Sequence, residues 1–241
     1  MYSVEPGNSF NRIPPESYFI NDIGTAREAF NYNSPEFAYI NWAIDNFKNA
    51  NLNFVDVGAH IGTYSWSLAP HFNKTHSFEC NPEVYNCLCA NIFLKELSSK
   101  IVTHQYGLSS QSTEMDYYVR SKEGGGNGFT FLGEIRESDI LGKIPMKLKT
   151  MDEVGIENIG LIKIDTEGHE MDVLIGAQET LKNSNFPPII FESWSEWRNY
   201  NEHFVPSKKL RSDLFEYINS IGYKIIPIAG IDELFLAEYI R

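Results

Sequence analysis

Residues 54–65 read FVDVGAHIGTYS, and the fold class can be inferred by working outward from them. An apolar run leads to Asp56, Gly58 and Gly62 flank a short segment, and a helical pattern begins directly afterwards. Glycines allow a tight turn and a close approach of the backbone to a ligand. A helix start offers unpaired N–H groups to a ligand with negative charge. The stretch therefore predicts a strand, a turn and a helix that together bind a ligand.

Strand and helix patterns alternate on both sides of this stretch. Alternation predicts a parallel sheet with helices on both faces. Two consecutive strand patterns close the chain, and they predict a hairpin that places one antiparallel strand near an edge of the sheet. The predicted strands are NFVDVG (53–58), KTHSFE (74–79), KIVTHQYGL (100–108), GLIKID (160–165), PPIIFES (187–193), YKIIPI (223–228) and ELFLAEYI (233–240).

The helices carry start signals and apolar faces. Ser34 and Asn81 are cap residues, and each precedes a proline at a first helical position. A later helix is expected to begin at Ser207 and to end at Gly222. Apolar residues at helical spacing predict the buried faces. These faces are Phe37, Ile40, Ile44 and Phe47 in the first helix, and Met171, Leu174, Ala177 and Leu181 in one continuous helix after the fourth strand.

The sequence shows no internal repeat and no clear linker, so one domain over residues 1–241 is expected. Within it, residues 1–50 are interpreted as an N-terminal arm and helix packed on a core formed by residues 51–241. Residues 109–150 interrupt the alternation with two extended segments and a glycine-rich stretch at 124–128. This stretch is interpreted either as a flexible hairpin tip or as a flap over an active site.

The net charge and the cysteine content indicate which binding partners and which compartment suit this chain. The formal net charge of -12 would repel a phosphate backbone, so a nucleic-acid substrate is disfavoured and a small molecule or glycan is favoured. Cys80, Cys87 and Cys89 are too few for a disulfide framework and suit a reducing compartment. There is no pattern typical of a secretory signal or a membrane span. A cytoplasmic protein is therefore expected, and its oligomeric state is not readable.

A second acidic residue indicates which cofactor binds. Glu79 ends the second predicted strand, where a carboxylate can accept hydrogen bonds from two ribose hydroxyls. The turn has the spacing G-x-x-x-G, and Asp56 precedes it. A pyrophosphate would be repelled by that carboxylate, whereas an amino-acid ammonium group would be attracted. The pattern therefore favours S-adenosylmethionine over NAD or FAD.

The chain resembles the FkbM-type methyltransferases, which depend on S-adenosylmethionine. The resemblance rests on FVDVGAHIGTYS, FECNPEVYNCLCANI, GLSS, LIKIDTEGHEMDVLIGA and PPIIFES, and it runs from about Phe54 to Ser193. It implies a class I methyltransferase fold, which is an α/β Rossmann-like fold. Its mostly parallel sheet has seven strands and a C-terminal antiparallel hairpin, with helices on both faces.

The resemblance also implies where the cofactor lies. The turn from Gly58 to Gly62 would face its methionine part, Glu79 its ribose, and Cys80 with Asn81 its adenine edge, although the family usually has proline at the position of Cys80. GLSS would lie beside the adenine. The candidate cofactor-binding residues are Asp56, Gly58, His60, Gly62, Thr63, Glu79, Cys80, Asn81, Leu108, Ser109 and Asp165.

The fourth strand leads into LIKIDTEGHE (161–170), which concentrates titratable side chains at a strand end. Ligands of open α/β sheets bind at the carboxyl ends of the strands. Methyl transfer to a hydroxyl requires a positioned nucleophile and a base that removes its proton. The candidates are Asp165, Glu167 and His169, of which Asp165 is best placed by topology and His169 has a suitable ordinary pKa. Glu170 is interpreted as a residue that only offsets the helix dipole.

A divalent metal ion is the alternative to a protein base. Some class I methyltransferases hold Mg²⁺ at the ends of the fourth and fifth strands, which here are Asp165 and Glu192. Neither residue has an adjacent Asp or Asn that would complete an oxygen cage, so a base without metal is favoured.

The sequence therefore predicts an S-adenosylmethionine-dependent O-methyltransferase that acts on a hydroxyl of a sugar, a glycan or a small natural product. Two other classes stay open. One is an N-methyltransferase for a small amine or peptide, and the other is a nucleotide-binding module without turnover.

Overall fold

The computed structural model describes residues 35–119, 142–194, 207–228 and 233–240. The arm predicted for residues 1–33, the cap residue Ser34 and the glycine-rich stretch at 124–128 lie outside these ranges. The helices are α1 (Pro35–Phe47), α2 (Thr63–Leu68), α3 (Pro82–Leu94), α4 (Met151–Val154), α5 (Glu170–Ile175), α6 (Gln178–Asn183) and α7 (Ser207–Ser220). The strands are β1 (Asn53–Val57), β2 (Thr75–Phe78), β3 (Ile101–His104), β4 (Gly107–Leu108), β5 (Thr113–Val119), β6 (Gly142–Lys149), β7 (Ile159–Ile164), β8 (Ile189–Glu192), β9 (Tyr223–Pro227) and β10 (Leu234–Tyr239).

The larger sheet has seven strands in the order β3-β2-β1-β7-β8-β10-β9. Strand β1 pairs in parallel with β2 and β7, and β7 pairs in parallel with β8. Strand β10 is antiparallel to both of its neighbours, β8 and β9. The predicted sheet and its C-terminal hairpin are therefore confirmed. This order brings the carboxyl ends of β1, β2, β7 and β8 to one edge of the sheet.

Apolar side chains bury both faces of this sheet. Val55 and Val57 of β1 face a core formed with α4, α5, α6 and α7. Phe54 faces the opposite core, which includes Ile40 of α1 and Leu68 of α2. Adjacent residues of a strand point to opposite faces, so Asp56 must lie on the same face as Phe54. The predicted apolar face of α1 is confirmed, since Phe37, Ile44 and Phe47 also pack against this second core.

A separate sheet of three strands has the order β4-β6-β5. Strands β5 and β6 form the antiparallel pair that was expected from the two extended segments around residues 109–150. The third predicted strand is wrong in its extent. It ends at His104, and Gly107 and Leu108 pair with β6 of the smaller sheet instead.

One predicted helix is broken into two. The apolar face from Met171 to Leu181 belongs to α5 and α6, which are separated at Gly176 and Ala177. A Cβ atom at Gly176 would lie 2.0 Å from the carbonyl oxygen of Ser109, and the Gly176 carbonyl accepts a hydrogen bond from the backbone N–H of Asp152. The chain leaves the helical path here because a distant segment approaches the backbone.

Within the described ranges, every helix is too short or too polar to cross a lipid bilayer.

Candidate active site

The turn after β1 makes close contacts with other parts of the chain at its two glycines. Gly58 has φ +77, and a Cβ atom there would lie 1.8 Å from the carbonyl oxygen of Asp165. Gly62 has φ +99, and a Cβ atom there would lie 2.6 Å from Leu88 Cδ1. Only glycine suits this combination of positive φ and close contact. The glycines therefore bring the turn against the end of β7 and against α3, a role that the sequence analysis did not assign to them.

Glu79 follows β2 and binds the neighbouring turn. Its Oε2 accepts a hydrogen bond from the backbone N–H of His60 at 3.0 Å, and its Oε1 accepts one from the N–H of Asn81 at 2.8 Å. Burial raises the pKa of Glu79, and these backbone donors oppose the rise. Each carboxylate oxygen can accept more than one hydrogen bond. The chemistry of this carboxylate therefore fits a ribose with two hydroxyls.

Asp56 lies inside the protein. Its side chain is fully buried, Oδ2 accepts a hydrogen bond from Ser65 at 2.5 Å, and Oδ1 has no hydrogen-bond partner. Burial raises the pKa of Asp56, whereas the charge of Lys163 opposes the rise. The structure thus corrects the expectation that this carboxylate faces the ammonium group of the cofactor. Asp56 lies opposite Lys163 of β7, and its charge helps to raise the pKa of that lysine.

Lys163 is a site residue that the sequence analysis did not assign. Its side chain is 7% exposed, and its Nζ lies 3.1 Å from Asp165 Oδ2 and 4.6 Å from the centre of the Tyr64 ring. Burial alone would lower the pKa of Lys163, but Asp165 and Asp56 outweigh burial and raise it. A buried ammonium group therefore stands between two carboxylates. The sequence signal was a lysine in an otherwise apolar strand, two positions before Asp165.

Asp165 stands at the predicted place, at the end of β7. Its backbone N–H donates to the carbonyl of Val57 at 3.0 Å, which fixes it beside the end of β1. Burial would raise the pKa of Asp165, but Lys163, Glu192 and His60 together outweigh burial and the net pKa is lowered. The charge of His60 acts in the same direction on both Asp165 and Glu79. Asp165 is therefore an ionised carboxylate near the β1 turn.

Glu170 organises the loop that follows Asp165. Its Oε1 accepts hydrogen bonds from the Thr166 backbone N–H at 2.9 Å, from Thr166 Oγ1 at 3.0 Å and from the Gly168 N–H at 3.1 Å. Glu167 and Gly168 have φ of 56 and 95, respectively. The expectation that Glu170 only offsets the helix dipole is corrected, because its carboxylate holds the loop in a conformation with two positive φ angles.

Three carboxylates meet at this edge. One oxygen each from Asp165, Glu167 and Glu192 lies within 4.8 Å of the other two, and all three side chains are half-buried. Burial together with the Asp165 charge raises the pKa of Glu192 well above its usual range. The shifts therefore favour the protonated form of Glu192 and the ionised form of Asp165. The same oxygens can hold a divalent cation, and Glu167 is the third acidic ligand that the sequence analysis did not supply.

His169 takes a position unlike the one expected of a base. Its side chain is 7% exposed, its Nε2 lies 3.0 Å from Ser109 Oγ, and its Nδ1 lies 3.6 Å from Asp172 Oδ2. Burial lowers the pKa of His169, and Asp172 opposes this effect. The ring connects the start of α5 to Ser109 in the segment after β4. This placement favours Asp165 over His169 as the base.

The remaining predicted cofactor residues differ in their burial and contacts. The Asn81 side chain caps α3 by accepting a hydrogen bond from the Glu83 N–H at 3.0 Å, as expected. Cys80 is half-buried, Thr63 is 9% exposed, and Leu108 and Ser109 are each 2% exposed. Leu108 belongs to the core, so its side chain is not part of an open surface.

Comparison with known proteins identifies the family of this site. The sequence matches the Methyltransferase FkbM domain over residues 56–225. It is 27% identical over 135 residues to the hexuronic acid methyltransferase AglP of Haloferax volcanii, an alignment that covers 54% of this chain and 52% of AglP. The chain thus spans about half of that relative.

Solved structures share the fold. The methyltransferase FkbM of Methylobacillus flagellatus superposes with a TM-score of 0.55 at 18% identity, covering 78% of this chain and 44% of that one. The structure of SMU.1697c from Streptococcus mutans in complex with SAH superposes with a TM-score of 0.52 at 8% identity, covering 86% and 99% of the two chains. These likenesses show a class I methyltransferase fold.

Proposed function

Because this chain belongs to the FkbM methyltransferase family, we propose that it transfers the methyl group of S-adenosylmethionine to a hydroxyl of a sugar or another small natural product. The observation that carries this proposal is the ion pair between Lys163 and Asp165 at the end of β7. It supplies an ionised carboxylate beside the β1 turn, at the edge where ligands of open α/β sheets bind.

The cofactor side rests on Glu79 and the turn that it holds. When bound, S-adenosylmethionine supplies a methyl group on a positively charged sulfur. Glu79 accepts hydrogen bonds from the ribose hydroxyls, and the His60 N–H keeps this carboxylate fixed against the turn. The turn itself is held against Asp165 by the close contact at Gly58. Cofactor and base are therefore positioned by one continuous set of backbone contacts.

Asp165 accepts the proton of the acceptor hydroxyl. A carboxylate is a weak base, but it only needs to receive the proton as the oxygen attacks the methyl carbon. The pKa of Glu192 is raised and that of Asp165 is lowered, so Asp165 is the member of the pair that favours the ionised form. The hydrogen bond that Asp165 accepts from Lys163 orients its carboxylate. Positioning of the hydroxyl supplies much of the remaining rate enhancement.

The acceptor is proposed to be a neutral sugar. The relative AglP is named for hexuronic acid, a sugar that carries a carboxylate. Here, Asp165, Glu167 and Glu192 lie together, and the formal net charge of the chain is -12. A carboxylated acceptor would be repelled by this cluster unless a cation lay between them. The cluster thus supports a neutral hydroxyl acceptor, with a cationic amine as the second candidate.

An acceptor panel tests this function. The protein is incubated with S-adenosylmethionine that carries an isotopically labelled methyl group and with matched neutral, amino and carboxylated sugars, and the products are analysed by mass spectrometry. We expect label in the neutral sugars and little in the hexuronic acids. Label on the amino group of the amino sugars would support N-methylation instead. Preferential labelling of hexuronic acids would overturn the proposed acceptor class.

A further inference from the structure

The turn after β1 contains a residue in an unfavourable backbone conformation. Gly58, His60 and Gly62 have φ angles of 77, 53 and 99, respectively. Glycine adopts such angles readily, but His60 carries a side chain, and the left-handed region is disfavoured for such a residue. A residue of this kind keeps its conformation only where the surrounding contacts hold it. The contacts on either side of His60 therefore determine the shape of the turn.

Two different elements hold the peptide groups on either side of His60. The His60 N–H donates to Glu79 Oε2, beyond the end of β2, at 3.0 Å. The carbonyl of Ile61, the next residue, accepts a hydrogen bond from Asn91 Nδ2 of α3 at 2.9 Å. Glu79 is already assigned to the ribose of the cofactor. Asn91 is a second contact to the same turn, and it comes from the other side of the β2–α3 unit.

Asn91 is fully buried in α3 among apolar residues. Its exposed fraction is 0%, and its helix neighbours Leu88 and Ile92 belong to an apolar core cluster. A buried amide is costly unless it forms hydrogen bonds, so a polar side chain here has to serve a partner. Leu88 also approaches the turn, since a Cβ atom at Gly62 would lie 2.6 Å from Leu88 Cδ1. Helix α3 therefore holds the turn by one apolar contact and one directed hydrogen bond.

We propose that Asn91 is a positioning residue for the cofactor, which holds the Ile61 carbonyl so that His60 stays in its left-handed conformation. Ile61 is itself fully buried, so loss of the Asn91 donor would leave its carbonyl poorly satisfied. The turn would then relax, and the His60 N–H would move away from Glu79 Oε2. Glu79 would lose the contact that fixes its carboxylate for the ribose. The role of Asn91 rests on the proposed use of S-adenosylmethionine.

Calorimetry with S-adenosylhomocysteine tests this role without any acceptor. Asn91→Leu keeps the approximate size of the side chain and removes the donor, and it should weaken binding by about tenfold. Asn91→Ala removes the same donor without adding apolar bulk, and it should also weaken binding.

Tyr223→Phe is the matched control. The Tyr223 side chain is buried, and its hydroxyl donates to the Pro187 carbonyl at 3.0 Å. This variant also removes a buried hydrogen bond from a side chain to a carbonyl, but it does so on β9, at the edge of the sheet opposite to β3. It should lower the thermal midpoint and bind S-adenosylhomocysteine like the wild type.

Hydrogen exchange shows where the Asn91 variants differ from the wild type. The His60 amide should exchange faster in Asn91→Leu. The Ile162 amide, which donates to the Pro188 carbonyl at 3.1 Å in the centre of the sheet, should keep its wild-type rate. Equal acceleration at both amides would mean that the substitution loosens the whole fold, which would contradict a positioning role.

The binding results separate the role of Asn91 from the proposed function. Wild-type affinity for S-adenosylhomocysteine in both Asn91 variants would overturn the role of Asn91 and leave the proposed function intact. An equal loss of affinity in Tyr223→Phe would also overturn it. If neither Asn91 variant folds, NMR of the wild type decides, because the side-chain amide signals of Asn91 should shift when S-adenosylhomocysteine binds and unchanged signals would overturn the role. No binding to the wild type would instead contradict the proposed cofactor.

Discussion

Lys163 Nζ and Asp165 Oδ2 lie 3.1 Å apart at the carboxyl end of β7, and the two side chains differ sharply in exposure. The lysine side chain is 7% exposed and the aspartate side chain is 36% exposed. A buried cation therefore holds a carboxylate that reaches the surface of the site. Asp56 lies opposite Lys163 on β1 and provides a second negative charge on the inner side.

Replacing Lys163 with Met should change the pH dependence of the reaction. Without the ammonium group, the pKa of Asp165 rises, so a larger fraction of Asp165 is protonated at a given acidic pH. The acidic limb of kcat/KM should therefore move to higher pH. The unpaired buried carboxylate of Asp56 should also reduce the free energy of unfolding by about 3–5 kcal/mol. Lys163→Arg keeps the positive charge and is the control. An acidic limb that stays in place in Lys163→Met would contradict this role.

Replacing Glu79 with Ala should weaken binding of S-adenosylhomocysteine by at least about tenfold, measured by calorimetry. The substitution removes a charged acceptor of two ribose hydroxyls, and each such hydrogen bond contributes about 1.5–3 kcal/mol. Glu83→Ala removes a nearby acidic residue of α3 and should leave the affinity near that of the wild type. An unchanged affinity in Glu79→Ala would mean that this strand end does not hold the ribose.

Replacing Glu192 with Gln should stabilise the fold at neutral pH. The pKa of Glu192 is higher in the folded state than in the unfolded state. At pH values just above the ordinary glutamate pKa, the folded state therefore still binds a proton that the unfolded state has released. The free energy of unfolding of the wild type therefore falls as the pH rises above the ordinary glutamate pKa. Gln has no such titration, and its amide can donate to Asp165 as a protonated carboxyl can. Thermal midpoints should be higher in Glu192→Gln near neutral pH and equal near pH about 4.

The control for this stability experiment is Glu179→Gln, since the Glu179 side chain is 68% exposed. It should show no such dependence on pH. A midpoint of Glu192→Gln that is lower than the wild type at both pH values would show that Glu192 is ionised and favourably paired in the folded protein.

Chelation distinguishes a protein base from a metal ion. If Asp165 acts as the base, exhaustive treatment with EDTA should leave the rate unchanged. A divalent ion on Asp165, Glu167 and Glu192 would lower the pKa of an acceptor hydroxyl and orient its oxygen. In that case, EDTA would abolish activity, Mg²⁺ or Mn²⁺ would restore it, and the proton-abstracting role of Asp165 would be wrong.

The larger sheet was predictable because local sequence patterns encode its strands and turns. Apolar runs, cap residues and glycine turns identified β1, β2, β7 and β8, and the rule for open sheets placed Asp165 at their common edge. The break between α5 and α6 was not predictable in this way. It depends on the approach of Ser109 to Gly176, two residues that are far apart in the sequence.

The sequence pattern also did not predict the orientations of the side chains in the site. His169 and Glu170 come only four and five residues after Asp165. The positive φ angles at Glu167 and Gly168 turn the chain between Asp165 and His169. Glu170 consequently binds the loop backbone, and His169 contacts Ser109. Helical or strand periodicity does not encode such a loop. The sequence pattern therefore could not separate the proposed base, Asp165, from Glu170, which holds the loop.

Asp165→Asn removes the proposed base and keeps the size of the side chain. The measurement is single-turnover transfer of a labelled methyl group to a neutral sugar hydroxyl, with the product oxygen located by NMR. We expect the wild type to form a methyl ether and the variant to form it at least about 10²-fold more slowly. The affinity for S-adenosylhomocysteine should stay near that of the wild type, and the thermal midpoint should stay within a few degrees. Near-normal methyl-ether formation by Asp165→Asn would contradict the role of Asp165 as the base, and a label found on nitrogen in the wild-type product would contradict transfer to a hydroxyl.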